Sequence, residues 1–107
     1  MKQPSIEVLS FEGCPNRDEA VRLVRRVADE LALEPRIQLI DVPDPEAAIR
    51  ERFLGSPTIR VDGRDVEPGA EERRDFVFAC RVYRGERGLV GQPDEDWVRE
   101  ALAQKRK

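Results

Sequence analysis

The sequence predicts a single α/β domain with a mixed central sheet and an extended segment before the last helix. Three observations lead to this fold class: strand and helix patterns alternate in the first half, a hairpin signal follows, and one more amphipathic stretch ends the chain. A length of 107 residues is that of one domain, so we expect one unit over residues 1–107.

The first predicted unit is strand, helix, strand. Residues 6–11 and 37–42 have the composition of strands, and we expect the second to be largely buried. Between them, apolar residues at helical spacing predict a helix from about Pro15 to about Leu33. A connection that contains a whole helix favours parallel pairing of the two strands.

A second helix and a hairpin are predicted next. Asp44 has the character of an N-cap and Pro45 that of a first helical residue, while Gly55 is a natural stop. The pair Asp62-Gly63 lies between two short alternating runs, which is a strong signal for a two-residue hairpin. The resulting order is strand, helix, strand, helix, hairpin.

Residues 70–92 give a less definite pattern. The apolar stretch 76–83 fits a strand, a short helix or a packed loop, and two glycines behind it indicate a turn. A last helix is expected from about Gln92 onward, with Trp97 and Val98 on its apolar side.

Charge and composition exclude several functions. The 22 acidic and 19 basic residues are interleaved and give a net charge of -3, which predicts no nucleic-acid partner. We expect no membrane span and no signal peptide, hence a cytoplasmic protein whose thiols stay reduced. The absence of histidine removes Cys-His catalysis and ordinary zinc sites. No cofactor is predicted, and the oligomeric state stays open.

Cys14 is the main candidate for chemistry, because it lies where the first strand leads into the first helix. With Pro15 in the first turn, Cys14 is expected at or beside the N-cap, where the helix dipole favours thiolate over thiol. Arg17 could add positive charge there, and Asn16 would shape the turn. The alternative is a small, inert apolar side chain in the first turn.

Two segments carry a family resemblance. Residues 11–17, Phe-Glu-Gly-Cys-Pro-Asn-Arg, stand where the thioredoxin superfamily has its Cys-x-x-Cys motif, and residues 55–58, Gly-Ser-Pro-Thr, resemble its cis-proline loop. The chain is more closely similar to a small bacterial single-cysteine group that shares Gly-Cys-Pro-Asn, Gly-Ser-Pro-Thr-Ile with Asp-Gly-Arg-Asp after it, and a late Cys-Arg-Val-Tyr. Some of that group are labelled alkylmercury lyase.

The resemblance implies a thioredoxin-like order of β-α-β-α-β-β-α. It also implies a cis peptide bond before Pro57, which would leave the backbone of Ser56 free to pair with an extended substrate or a thiol ligand beside Cys14. Arg17 stands where a dithiol oxidoreductase has its second cysteine. The cycle of attack and release between two neighbouring thiols therefore cannot run within this motif. Three alternatives remain: a monothiol mechanism with an outside thiol such as glutathione, a distant resolving cysteine, or no redox role.

Cys80 is the one distant cysteine available. Its apolar neighbours suit a buried structural thiol, but the chain from Gly69 to Arg81, 12 residue steps, is long enough to bring it back over Cys14. Both interpretations remain open from the sequence.

Three functions follow from these residues. The leading hypothesis is a thiol–disulfide oxidoreductase acting on protein or small-molecule thiols and disulfides, with Cys14 attacking and Cys80 resolving. Five residues would surround the substrate: Pro15, Asn16, Arg17, Ser56 and Pro57. The second hypothesis is a soft-metal protein in which Cys14 and Cys80 bind Hg(II) or Cu(I), with organomercury cleavage as its catalytic extension. The third is a non-catalytic interaction module.

Overall fold

A computed structural model describes residues 3–85 and 88–104. Within those residues it has an α/β architecture of three α-helices, a four-stranded mixed sheet and a separate two-stranded ribbon. In chain order the elements are β1 Ser5–Ser10, α1 Arg17–Glu30, β2 Arg36–Asp41, α2 Pro45–Arg50, β3 Thr58–Val61, β4 Arg64–Asp65, a 3-10 turn Ala70–Glu72, β5 Tyr83–Gly85, β6 Gly88–Val90 and α3 Glu95–Ala103. The predicted domain bounds also include residues 1–2, 86–87 and 105–107, which lie outside this description.

The main sheet has the strand order β2-β1-β3-β4. Strand β1 pairs in parallel with β2 across the α1 connection, as predicted, and antiparallel with β3 on its other side. The hairpin prediction is also confirmed, since β3 and β4 pair antiparallel around Asp62 and Gly63. Both turn residues have positive φ, 50° and 85°, as a type I′ turn requires.

The second strand differs from its prediction. Residues 37–42 were expected to form a largely buried strand, but β2 is an edge strand and its residues are exposed or half-buried; Leu39 is 56% exposed. A short apolar run is compatible with either place in a sheet, and its periodicity does not separate an edge from a centre. The buried places belong to β1 and β3.

Helices cover both faces of the sheet. On one face α1 and α3 pack against β1 and β3, in a cluster that includes Ile6, Val8 and Ile59. On the other face a smaller cluster joins α2 to the sheet through Leu9 and Phe53. Alternate residues of β1 point to opposite faces, so one strand serves both clusters.

The helix ends follow their capping residues. Asp44 is the N-cap of α2, as predicted, and its Oδ1 accepts a hydrogen bond from the Ala47 N–H at 2.8 Å. Helix α1 is shorter than expected at both ends, and its first residue is Arg17 instead of Pro15. The stop predicted at Gly55 is also displaced, because α2 ends at Arg50 and Gly55 lies in the loop before β3.

The region with the open pattern is mostly extended chain. Residues 73–82 contain no helix, and their one element of β-structure is an isolated bridge from Cys80 to Ser56. Strand β5 begins after them, at Tyr83. Of the predicted stretch 76–83, residues 76–82 are therefore a loop with several exposed side chains, and Tyr83 belongs to β5. None of the helices in the described part of the chain has the length and apolar character needed to span a bilayer.

Gly55 supplies a first test of this packing. Its φ is +121°, and a Cβ added there would lie 2.7 Å from Cβ and 2.8 Å from Cα of Arg81. We expect Gly55→Ala to lower the free energy of unfolding by about 2–5 kcal/mol, because backbone strain and overpacking add together. Urea unfolding followed by circular dichroism measures this loss.

Gly63→Ala is the matched control for that substitution. Gly63 also has a positive φ, +85°, but nothing lies within 4 Å of an added Cβ. In Gly63→Ala the free energy of unfolding should fall only by the cost of the backbone strain, about 1–2 kcal/mol. Equal losses in the two variants would contradict the close approach of Arg81 to Gly55.

Candidate functional site

The end of β1 and the start of β3 meet at one edge of the sheet. Leu9 lies opposite Thr58 in the antiparallel pair. Beyond Leu9 the chain turns through Phe11, whose carbonyl accepts a hydrogen bond from the Cys14 N–H at 3.2 Å. Pro57 comes directly before Thr58, and the peptide bond that precedes Pro57 is cis, which confirms that prediction. Cys14 and Pro57 thus belong to the same edge.

Cys14 lies outside helix α1. The N-cap of α1 is Asn16, and Cys14 lies two residues before it. The prediction that Cys14 lies at or beside the N-cap is therefore wrong. Pro15 and Asn16 form a turn between them, and the Cys14 carbonyl accepts from the Arg17 N–H at 3.5 Å. Cys14 is a free cysteine, and the residue is half-buried.

The residues after Cys14 have structural partners of their own. The guanidinium of Arg17 lies 3.5 Å from the carboxylate of Asp18, which partly cancels the positive charge expected at the thiol. The carbonyl of Asn16 accepts a hydrogen bond from the Gln92 side chain at 2.8 Å. Asn16 makes no side-chain capping hydrogen bond as the N-cap of α1, and its carbonyl ties the chain before α3 to the start of α1.

Cys80 is exposed, so the prediction of a buried structural thiol is wrong. In this extended segment, side chains alternate between the two sides of the chain. Arg81 and Tyr83 are buried, whereas Cys80 and Val82 face solvent. The apolar composition around Cys80 suggested a core, but the alternation directs the thiol outward.

A short parallel bridge joins Cys80 to Ser56. The Ser56 N–H donates to the Ala79 carbonyl at 2.9 Å, and the Arg81 N–H donates to the Ser56 carbonyl at 2.9 Å. The expectation that the Ser56 backbone is free for a substrate is therefore wrong, because the chain's own residues 79–81 occupy both groups. The Ser56 hydroxyl is buried and has no hydrogen-bond partner among the described residues.

A ring contact places the two cysteine segments on the same side of the molecule. The rings of Phe11 and Phe78 lie with their centroids 5.2 Å apart. Phe11 is three residues before Cys14, and Phe78 is two residues before Cys80. Together with the Ser56 bridge, this contact brings both thiol-bearing segments to the edge where β1 ends and β3 begins.

Arg81 is a central residue that the sequence analysis did not single out. Its side chain is only 1% exposed and makes a bidentate ion pair with Asp65, with Nη1 2.8 Å from Oδ2 and Nη2 3.2 Å from Oδ1. The same guanidinium donates to Glu67 at 2.6 Å and to the Thr58 hydroxyl at 3.0 Å. It also lies over the Tyr83 ring, 4.4 Å from the centroid. One buried cation thus joins the hairpin, the start of β3 and the Cys80 segment.

The charges around Arg81 favour its ionised form. Burial by itself lowers the pKa of Arg81, but the hydrogen bond to Asp65 and the nearby carboxylates outweigh burial and raise the pKa above its ordinary value. The available signal was the spacing of Asp65 and Glu67, since residues two apart on extended chain point to the same side. A cation placed between two such acids offsets their mutual repulsion.

Other features of the surface do not involve the thiols. A groove of about 620 Å³ lies between the β3–β4 hairpin and α3, and neither cysteine lines it. Within residues 3–85 and 88–104, no group of three or more histidine, cysteine or acidic side chains is placed to hold a metal ion. The soft-metal hypothesis thus depends on the two thiols alone.

Tyr83 offers a direct test of burial at this site. Burial raises the pKa of the Tyr83 phenol, whose hydroxyl donates to the Pro57 carbonyl at 2.6 Å. Tyr83 is the only tyrosine in the chain, so absorbance at alkaline pH reports it alone. We expect no phenolate while the protein is folded at pH values near the ordinary pKa of about 10.

The same shift fixes the sign of the pH dependence. Above pH of about 10 the unfolded chain releases the phenol proton and the folded protein keeps it, so the free energy of unfolding falls as pH rises. Below that pH the phenol is protonated in both states, and the free energy of unfolding is not reduced. Tyr83→Phe should remove this part of the alkaline loss. Phenolate absorbance with an ordinary midpoint and intact circular dichroism would contradict the buried phenol.

No protein-family model matches this chain, and no curated protein matches its sequence. The candidate site consists of the half-buried Cys14, the exposed Cys80, a cis-proline turn and a buried arginine at one edge of an α/β sheet.

Proposed function

We propose that this chain is a thioredoxin-like thiol–disulfide oxidoreductase in which Cys14 attacks and Cys80 resolves. The observation that carries the proposal is the bridge between Ser56 and Cys80, which fixes an exposed second thiol at the sheet edge of Cys14. The missing cysteine at position 17 is then supplied by a different segment of the same chain.

The architecture supports the thioredoxin-like assignment. The elements follow the order β-α-β-α-β-β before a final helix, apart from the added β5–β6 ribbon. In the strand order β2-β1-β3-β4, the adjacent strands β1 and β2 are parallel, and the pairs β1–β3 and β3–β4 are antiparallel. This pattern agrees with the mixed sheet expected from the resemblance. Helices α1 and α3 share one face and α2 covers the other.

The reaction balances with a disulfide as the oxidant. The Cys14 thiolate attacks one sulfur of a substrate disulfide, forms a mixed disulfide, and releases the other half as a thiolate. Cys80 loses its proton to solvent and attacks the Cys14 sulfur of the mixed disulfide. A Cys14–Cys80 disulfide forms, the second half of the substrate leaves as a thiolate, and two electrons have passed to the substrate.

Turnover needs a thiol reductant. Two molecules of a monothiol such as glutathione reduce the Cys14–Cys80 disulfide in two exchange steps and become one glutathione disulfide. The cytoplasm supplies such thiols, so the proposal places the protein in a reducing compartment.

Serine variants of the two cysteines separate their roles. After brief exposure to glutathione disulfide, the wild-type protein should lose both thiols and yield a Cys14–Cys80 linked peptide. Cys80→Ser should stop earlier, with glutathione attached to Cys14, because the resolving thiol is gone. Thiol titration and peptide mass spectrometry without reductant distinguish these products.

Cys14→Ser is the matched control. It retains the exposed Cys80 thiol but should show no turnover of the substrate disulfide with glutathione. Linkage only between two copies of the chain, or equal turnover in both serine variants, would overturn the assignment of Cys14 as attacking thiol and Cys80 as resolving thiol.

A further inference from the structure

The segment that carries Cys80 has few regular contacts. Residues 73–82 contain no helix, and Val77, Phe78 and Val82 are exposed. Its backbone hydrogen bonds to the rest of the fold include the two with Ser56, one from the Val77 N–H to the Phe53 carbonyl at 2.9 Å, and one from the Arg73 N–H to the Ala70 carbonyl at 3.0 Å. Extended chain with so little burial opens easily unless a buried side chain anchors it.

Arg81 is that buried side chain. Its planar guanidinium reaches Asp65, Glu67 and Thr58 at once, and its backbone lies directly against Gly55. A planar fork with two-pronged geometry fixes position more tightly than a flexible ammonium group does. The residue next to the thiol is therefore held from both its side chain and its main chain.

We infer that Arg81 is a positioning residue for Cys80: its buried ion pairs with Asp65 and Glu67 hold the resolving thiol beside Ser56, within reach of the Cys14 disulfide. This inference rests on the proposed function, since it assigns the element that makes the resolving step efficient. The Arg81 side chain is buried while Cys80 is exposed, so we assign Arg81 no part in bond formation.

The chemical consequence is a change in effective concentration. A thiol held in place meets its partner sulfur as an intramolecular reactant, and greater freedom of its segment lowers that effective concentration. A looser Cys80 therefore resolves the mixed disulfide more slowly and forms a Cys14–Cys80 disulfide that glutathione reduces more readily.

Arg81→Lys is the main test, because it retains the charge and loses the fork. We expect the equilibrium constant for oxidation of the pair by glutathione disulfide to fall by about tenfold or more. Asp65→Asn weakens the same anchor from the hairpin side and should change the constant in the same direction. It also serves if the first variant does not fold.

Val98→Ala controls for a general loss of stability, since Val98 is fully buried in α3, in the core cluster on the α1–α3 face of the sheet. It should lower the urea midpoint and leave the redox equilibrium near the wild-type value. An equal fall in the redox constant for Val98→Ala and Arg81→Lys would overturn the inference, because Arg81 would then act only through stability.

A nitroxide label on Cys80 in the Cys14→Ser protein gives a readout that needs no redox chemistry. Arg81→Lys should make the label more mobile in its electron paramagnetic resonance spectrum, and Val98→Ala should not. Unchanged mobility in Arg81→Lys would overturn the positioning role. If the wild-type protein forms no Cys14–Cys80 disulfide, the proposed function fails, and the label still decides whether Arg81 holds Cys80.

Discussion

The ion pairs of Arg81 with Asp65 and Glu67 are the interaction on which the arrangement of this site depends. Removing charges from water is costly, and their attraction offsets the cost only when the geometry satisfies the charged groups. Here the guanidinium has partners on the hairpin and on Thr58, and only its Nε lacks one among the described residues. Such a cluster adds little net stability, but it specifies where the segment docks.

That docking determines which way the cysteine points. Because residues alternate along an extended chain, burial of Arg81 and Tyr83 forces Cys80 outward. The Tyr83 hydroxyl reaches the Pro57 carbonyl, and the Arg81 N–H reaches the Ser56 carbonyl. The inward residues Arg81 and Tyr83 thus bind the cis-proline turn, and Cys80, directly before Arg81, lies on the outward side of the chain. The exposure of Cys80 follows from burial of its neighbours.

The parts of the fold that the sequence predicted well are those with local physical signals. Asp44 caps α2 through its own side chain, and Asp62-Gly63 forms its turn from its own backbone preferences. The ends of α1 and α2 were displaced by a few residues, whereas the errors in burial concern long-range partners. The edge position of β2 depends on which strands flank β1, and the burial of Arg81 depends on two acids 14 and 16 residues earlier.

The predictions for the candidate site show the same difference between local signals and long-range partners. Cys14 and Pro57 were identified because a local motif surrounds each, whereas the contacts of Ser56 could not be read from its neighbours. An extended polypeptide could pair with Ser56 only by displacing residues 79–81, since they occupy both of its backbone groups. Displacement would also withdraw Arg81 from its carboxylates and leave buried charges unpaired, which is strongly unfavourable. Under the proposed function, a substrate disulfide would therefore react at Cys14 without displacing residues 79–81, and Cys80 would stay beside Ser56.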